Sequence, residues 1–250
     1  MHGEASNRIS EVERLIKEEH TNVVLMQEVT SEDHRIYQEY FEDKGWSLRH
    51  IPADKRQEMG SGGLGNMIMA HAESIDDIES KVFKGNSQDA WAMRTVTGLA
   101  QDVATRDFTL SASRKALYEN RAAIAGTIEL HGQKYRIITS HIARLNGEGD
   151  PDQLDQLMDF VEDNTRDDYL TIFCGDLNSP PEQVINVFAQ KAGYVTARTG
   201  PTSVNGPQVL DYCFSHDPHN QTVGNITVNR NYQTDHYPVV ANWILGNTEK

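Results

Sequence analysis

The sequence predicts a mixed α/β fold, and three observations carry that reading. Short apolar runs of strand length alternate with amphipathic helical stretches along most of the chain. The run Tyr169-Leu170-Thr171-Ile172-Phe173-Cys174 is rich in aromatic and β-branched residues. It ends abruptly in Gly175-Asp176-Leu177-Asn178 and is closed by Pro180-Pro181, as a buried strand stopped by turn chemistry would be. No internal repeat, linker or low-complexity tract stands out, so residues 1–250 are expected to form a single α/β domain.

In chain order, residues 6–20 carry Ile9, Val12, Leu15 and Ile16 at helical spacing, with Ser6 or Asn7 as N-cap. Asn22 ends that helix, and Val23-Val24-Leu25-Met26 follows as a strand closing in Gln27-Glu28. Ser31 caps a second helix running to about Lys44, and residues 46–51 form a strand. Gly60-Ser61-Gly62-Gly63-Leu64-Gly65 spells G-x-G-x-x-G, but a dinucleotide-binding turn needs a strand before it and a helix after it. A charged loop precedes this one and the strand Asn66-Met67-Ile68-Met69 follows, so that reading is rejected. Residues 80–84 are a further strand. Residues 85–118 are polar and without steady periodicity, a loop-rich excursion with a strand at 93–96. Residues 121–130 and 134–140 form a hairpin around His131-Gly132. Residues 152–164 are an amphipathic helix with Leu154, Leu157, Met158 and Val161 on one face. The central strand is followed by a helix at 181–191 and strands near 209–215, 226–228 and 238–244.

The longest apolar stretches fall well short of a membrane span. No basic segment followed by an apolar run opens the chain, so a cytoplasmic protein is expected, and with it a monomer. Cys174 and Cys213 both lie in apolar strand-like runs and are expected as buried free thiols of a reducing compartment. The formal net charge of −14 disfavours non-specific binding of duplex nucleic acid, which calls for a basic surface.

Several strands end in polar residues of one kind. Glu28 follows one strand, His141 another, Asp176 and Asn178 close the central one, Asp211 opens the next, and Asp235-His236 precedes the last. Asp176 and Asn178, two apart, are expected on one side of their strand, although an Asx-turn that merely ends the strand explains the same residues. Asp235 and His236 face one site only from a turn before Pro238. An oxygen-rich, thiol-free set of this type suits Mg²⁺ or Mn²⁺ better than zinc. Such an ion neutralises charge developing on a phosphate, and a histidine held by a buried carboxylate is a means of proton transfer.

In this order the set resembles the endonuclease/exonuclease/phosphatase superfamily, from about Ile9 to Trp243. The most specific pieces are Val24-Leu25-Met26-Gln27-Glu28, Gly175-Asp176-Leu177-Asn178, Leu210-Asp211-Tyr212 and Thr234-Asp235-His236-Tyr237-Pro238-Val239. The resemblance implies a two-sheet α/β sandwich with helices outside, the site at one end of the sheets, and metal-dependent hydrolysis of a phosphodiester or phosphomonoester. By that resemblance Glu28 and Asp235 bind the metal, and Asp176 positions or activates the attacking water. Asn178 binds phosphate, Asp211 and His236 form an Asp–His dyad, and His141 contacts the phosphate. Arg121 resembles a phosphate-contacting arginine, and Asn66 stands at the family's glycine-asparagine strand start.

Members of the family open on a buried strand ending in asparagine. Here Met1-His2-Gly3 stands roughly where that strand should have ended, and Asn7 sits at a helix start. The expectation is a shortened chain with an unpaired neighbouring strand. Two readings compete: a phosphoesterase acting on a small phosphorylated molecule or on nucleic acid, with residues 85–118 setting specificity, and a catalytically weak or inactive binding module that keeps the fold.

Overall fold

Residues that alternate along a strand point to opposite faces, and that sorting builds the layers of this protein. The computed structural model describes residues 2–53, 64–83, 121–145, 148–192, 194, 200–204, 206–219, 222–230 and 236–245. Its elements are α1 (His2–Glu19), β1 (Val23–Val29), α2 (Ser31–Phe41), β2 (Ser47–Pro52), β3 (Gly65–Ala70), β4 (Asp76–Phe83), β5 (Arg121–Leu130) and β6 (Gln133–His141). The short hairpin β7 (Arg144–Leu145) and β8 (Glu148–Gly149) comes next, then α3 (Pro151–Asn164), β9 (Thr171–Asp176), α4 (Pro181–Ala192), β10 (Asp211–His216), β11 (Thr222–Val228) and β12 (Val239–Leu245).

One sheet has the order β10-β9-β6-β5-β4, a second has β1-β3-β2, and β11 pairs with β12. Between the two larger sheets lie Ile68, Ala70, Ile75, Ile124, Ile128 and Ile137. On the outer face of the five-stranded sheet, Ala123, Ala125, Ile138 and Phe173 meet Leu157 and Val161 of α3 and Val184 and Phe188 of α4. On the outer face of the three-stranded sheet, Met67 and Met69 meet Ile9 of α1 and Tyr37 and Phe41 of α2. Four layers, helix–sheet–sheet–helix, are thus the α/β sandwich expected from the sequence.

The differences are local. Thr30, not Ser31, caps α2, and its hydroxyl and the Asp33 carboxylate satisfy each other's backbone N–H. The helix stops at Phe41 and a 3₁₀ turn over Glu42–Lys44 follows. The strand expected at 80–84 runs from Asp76 to Phe83; residues 76–80 are all exposed and Asp76, Asp77 and Glu79 among them are charged, so no apolar alternation announced its first half. The strand expected at 93–96, the whole loop at 85–118 and the glycines before Leu64 lie outside the described residues.

Among the described residues, β1 has one strand neighbour, β3, and β12 has one, β11. β1 packs over β6 and β9, while β12 packs over β10. The inner face of β9 is correspondingly half-covered: Ile172 and Cys174 are partly exposed, whereas Phe173 and Gly175 on its outer face are buried. Val23 to Gln27 of β1 are all only partly buried. Asn7 lies within α1, so no strand is formed there.

The free-thiol expectation is corrected. Cys174 and Cys213 face each other in the antiparallel β9–β10 pair, and their sulfurs are joined in a disulfide. Two thiol-bearing residues in separate apolar runs announce no pairing; only the register does. The bridge closes a loop of sequence separation 39, which should stabilise the fold by about 2–4 kcal/mol. Urea unfolding with and without reductant should show that difference, and a Cys174→Ser/Cys213→Ser variant should lose it.

α1 is tied to the end of α2 by Glu13, whose carboxylate accepts from Lys44 Nζ at 2.8 Å and Tyr40 Oη at 2.9 Å. These bonds push its pKa down to about 2 from 4.5. A depressed carboxylate contributes stability above its unfolded pKa and loses it as pH falls through the folded one. Acidification from about pH 5 to about pH 3 should therefore destabilise the wild type more than Glu13→Gln, read as the difference in Tm between the two pH values.

Candidate active site

The site grows from β9. Gly175 approaches β6 so closely that a Cβ there would lie 2.2 Å from the Ser140 carbonyl oxygen, so only glycine fits. With that approach, β6 runs parallel to β9 and sets His141 against Asp176. On the other side β10 runs antiparallel and sets Asp211 against Asp176. An imidazole and two carboxylates therefore stand in one row across three strands.

Asp176, 7 % exposed, divides its oxygens. Oδ1 accepts from the Asn178 backbone N–H at 3.0 Å, the Asx-turn that the sequence offered as the plainer explanation. Oδ2 lies 3.4 Å from His141 Nε2 and 3.6 Å from His236 Nδ1. Asn178 does not continue the strand as expected: its φ of 47° is left-handed. From there its Nδ2 donates to the Ile142 carbonyl at 2.9 Å and stands 3.1 Å from His141 Nε2. Burial, and then the charge of Asp211, raise the Asp176 pKa well above the usual carboxylate range.

His236 enters from before β12, held by an antiparallel bridge to Ser203, and its Nδ1 lies 2.9 Å from Asp211 Oδ2. A carboxylate only accepts, so the proton sits on Nδ1. Its neighbour Asp235 lies outside the described residues.

His141 is 5 % exposed. Arg121 Nη1 lies 3.0 Å from its Nδ1 and 3.2 Å from Glu28 Oε1. A guanidinium only donates, so Nδ1 accepts from Arg121, while Nε2 stands between the Asn178 amide and Asp176 Oδ2. Burial, with the charges of Arg121 and His236, holds the His141 pKa well below 6.5. Arg121 and Asn66 are buried as His141 is. Asn66 donates from Nδ2 to the Ala122 carbonyl at 2.5 Å, beside Arg121, and its buried Oδ1 has no hydrogen-bond partner among the described residues.

Glu28 reaches the site by an irregularity that sequence patterning misses. Between Met26 and Val29 the β1–β3 register slips, and Glu28 has φ 57°. Such bulges re-aim a side chain; this one leaves the carboxylate 49 % exposed at the strand end. Gln27 anchors the bulge, its Nε2 donating to Thr139 Oγ1 at 3.0 Å. Sequence reasoning also missed Thr202, whose Oγ1 accepts from the backbone N–H groups of Leu210 and Asp211.

Asp176, Asp211 and His236 each offer a ligand atom within 4.8 Å of one another. Two crowded carboxylates, one pushed towards its neutral form by burial and then by the other, make a donor set that fits a hard divalent cation.

A family model matches residues 2–236. The chain belongs to the Endonuclease/Exonuclease/phosphatase family. Solved structures agree on that family's fold. A mannosyl-6-phosphatase of Bacteroides thetaiotaomicron superposes with TM-score 0.66 at 13 % identity, covering 96 % of this chain and 92 % of its own. A humanized D. rerio TDP2 gives 0.60 at 14 %, covering 97 % and 93 %. The human Nocturnin catalytic domain gives 0.61 at 16 %, covering 96 % and 86 %. No curated protein sequence matches the chain.

The left-handed backbone at Glu28 costs a non-glycine residue about 1–2 kcal/mol. Glu28→Gly and Glu28→Ala both remove the carboxylate, so their difference isolates the backbone. The glycine variant should be more stable than the alanine variant by about 1 kcal/mol in urea unfolding, and equal stabilities would show that the bulge is unstrained.

Proposed function

We propose that this family member is a divalent-metal-dependent phosphoesterase in which water attacks phosphorus in line. The observation that carries the reading is the cluster of Asp211, His236 and Asp176 at the end of the sheets, with contacts of 2.9 and 3.6 Å. Asp176 is the group that orients the attacking water and takes its proton as the new P–O bond forms; a raised pKa suits a base working near neutrality. Asp211 accepts the Nδ1–H of His236, so the imidazolium form presents Nε2–H to the scissile phosphate and gives that proton to the leaving oxygen. Asn178 binds a phosphate oxygen by the same reading. Arg121 and His141 hold Glu28 and Asp176 in place beneath.

Glu28 and Asp235 would hold Mg²⁺ or Mn²⁺ beside Asp176 and Asp211, and the ion when bound supplies neutralisation of charge on the transferring phosphoryl group. The net charge of −14 favours a small phosphorylated substrate or single-stranded nucleic acid over a duplex. Names among the structural relatives include a phosphatase as well as TDP2, in keeping with either. Among the described residues β1, which carries Glu28, has β3 as its one strand neighbour, and this favours the other reading, a binding module, at one point only. Tight Mg²⁺ binding without turnover would be its signature.

Hydrolysis of bis-p-nitrophenyl phosphate with Mg²⁺, with Mn²⁺ and with EDTA tests the proposal. Turnover is expected with either metal and not with EDTA, and His236→Ala should lower kcat by about 10²–10⁴-fold. An unchanged rate in His236→Ala would refute the assignment.

A further inference from the structure

Asp211 and His236 reach each other from different sheets. Asp211 opens β10, which pairs with β9, and His236 precedes β12, which pairs with β11. A short contact between side chains on separate sheets needs something that fixes one backbone against the other. Segment 200–204, between α4 and β10, meets both.

Thr202 is fully buried there. Its Oγ1 accepts from Leu210 N at 2.9 Å and from Asp211 N at 3.2 Å, eight and nine residues ahead. A threonine hydroxyl in a loop more often closes its own turn, within two to four residues. The Thr202 carbonyl accepts from Tyr237 N at 2.7 Å, and its own N–H donates to the Gln208 carbonyl at 3.0 Å. The next residue, Ser203, bridges to His236 itself. The far side of Leu210 extends the link, because its carbonyl accepts from Leu177 N at 2.8 Å, inside the turn that carries Asp176 and Asn178.

We propose that Thr202 is a positioning residue for the Asp211–His236 pair: its hydroxyl places the Asp211 backbone, its carbonyl and Ser203 place the His236 backbone, and the 2.9 Å contact follows. The proposal rests on the reading of Asp211 and His236 as the proton-transferring pair. Thr202 touches no substrate in this scheme. Removing its hydroxyl should slow the chemical step without weakening substrate binding.

The test compares wild type with Thr202→Val, Thr202→Ala and Thr202→Ser in two measurements. One is Mn²⁺-dependent hydrolysis of bis-p-nitrophenyl phosphate. The other, without substrate or metal, is the proton NMR signal of the imidazole N–H that His236 donates to Asp211. Thr202→Val should lose kcat by about tenfold to a hundredfold, the cost of a misplaced catalytic group, with KM within about twofold. Its N–H signal should shift upfield or broaden away. Thr202→Ser keeps the oxygen and should restore both.

Thr202→Ala leaves room for a water on the two N–H groups and is read in the same way where valine prevents folding. A folded valine or alanine variant with wild-type kcat and an unchanged N–H signal would overturn the proposal. So would a folded serine variant as impaired as valine. If wild type hydrolyses nothing, the enzymatic reading fails on its own, and the N–H signal still decides whether Thr202 places the pair.

Discussion

The register of β9 between β6 and β10 is the constraint on which the site depends. A strand's side chains alternate, so a slip of one residue would turn Asp176 into the helical layer and bring Gly175 into the row. The close approach of Gly175 to Ser140 resists that slip sterically, and the Cys174–Cys213 bridge resists it covalently on the other side. Like charges directly opposite each other weaken a strand pair, and Asp176 with Asp211 is such a pair. The fold sustains it because His236 approaches both carboxylates.

The two histidines show how environment divides one residue type into two roles. His141 is buried beside a fixed cation, Arg121, and is held neutral. His236 side-chain exposure is 30 %, and its partner is an anion. Burial and a cationic neighbour make an imidazole a rigid spacer, whereas partial exposure and an anionic neighbour leave it able to exchange a proton with something outside.

Much of this was legible in the sequence, for reasons that can be assigned. α3 and the β5–β6 hairpin are announced by local pattern, an apolar face in one and a His-Gly turn in the other. Glu28, Asp176 and Asp211 could be named because polar residues ended apolar runs. What failed needed information from across the chain. The β1 bulge is a mismatch between two strands, the disulfide is a coincidence of register, and Thr202 acts over eight and nine residues. The burial of Arg121, His141 and Asn66 was not legible, because a motif does not report burial. The first half of β4 was not legible because Asp76, Asp77 and Glu79 leave it without an apolar period.

Left-handed backbone at two functional positions has a meaning for any variant of this chain. At Glu28 and Asn178 glycine is the residue of least conformational cost, and asparagine comes next. Drift under selection for folding alone would tend to erode Glu28 first, since its carboxylate is half in solvent and contributes little packing. A glutamate on this backbone therefore carries a conformational cost that its half-exposed side chain does little to offset by packing. Among sequences that share this fold, the residue at the bulge would separate those kept for chemistry from those kept for shape.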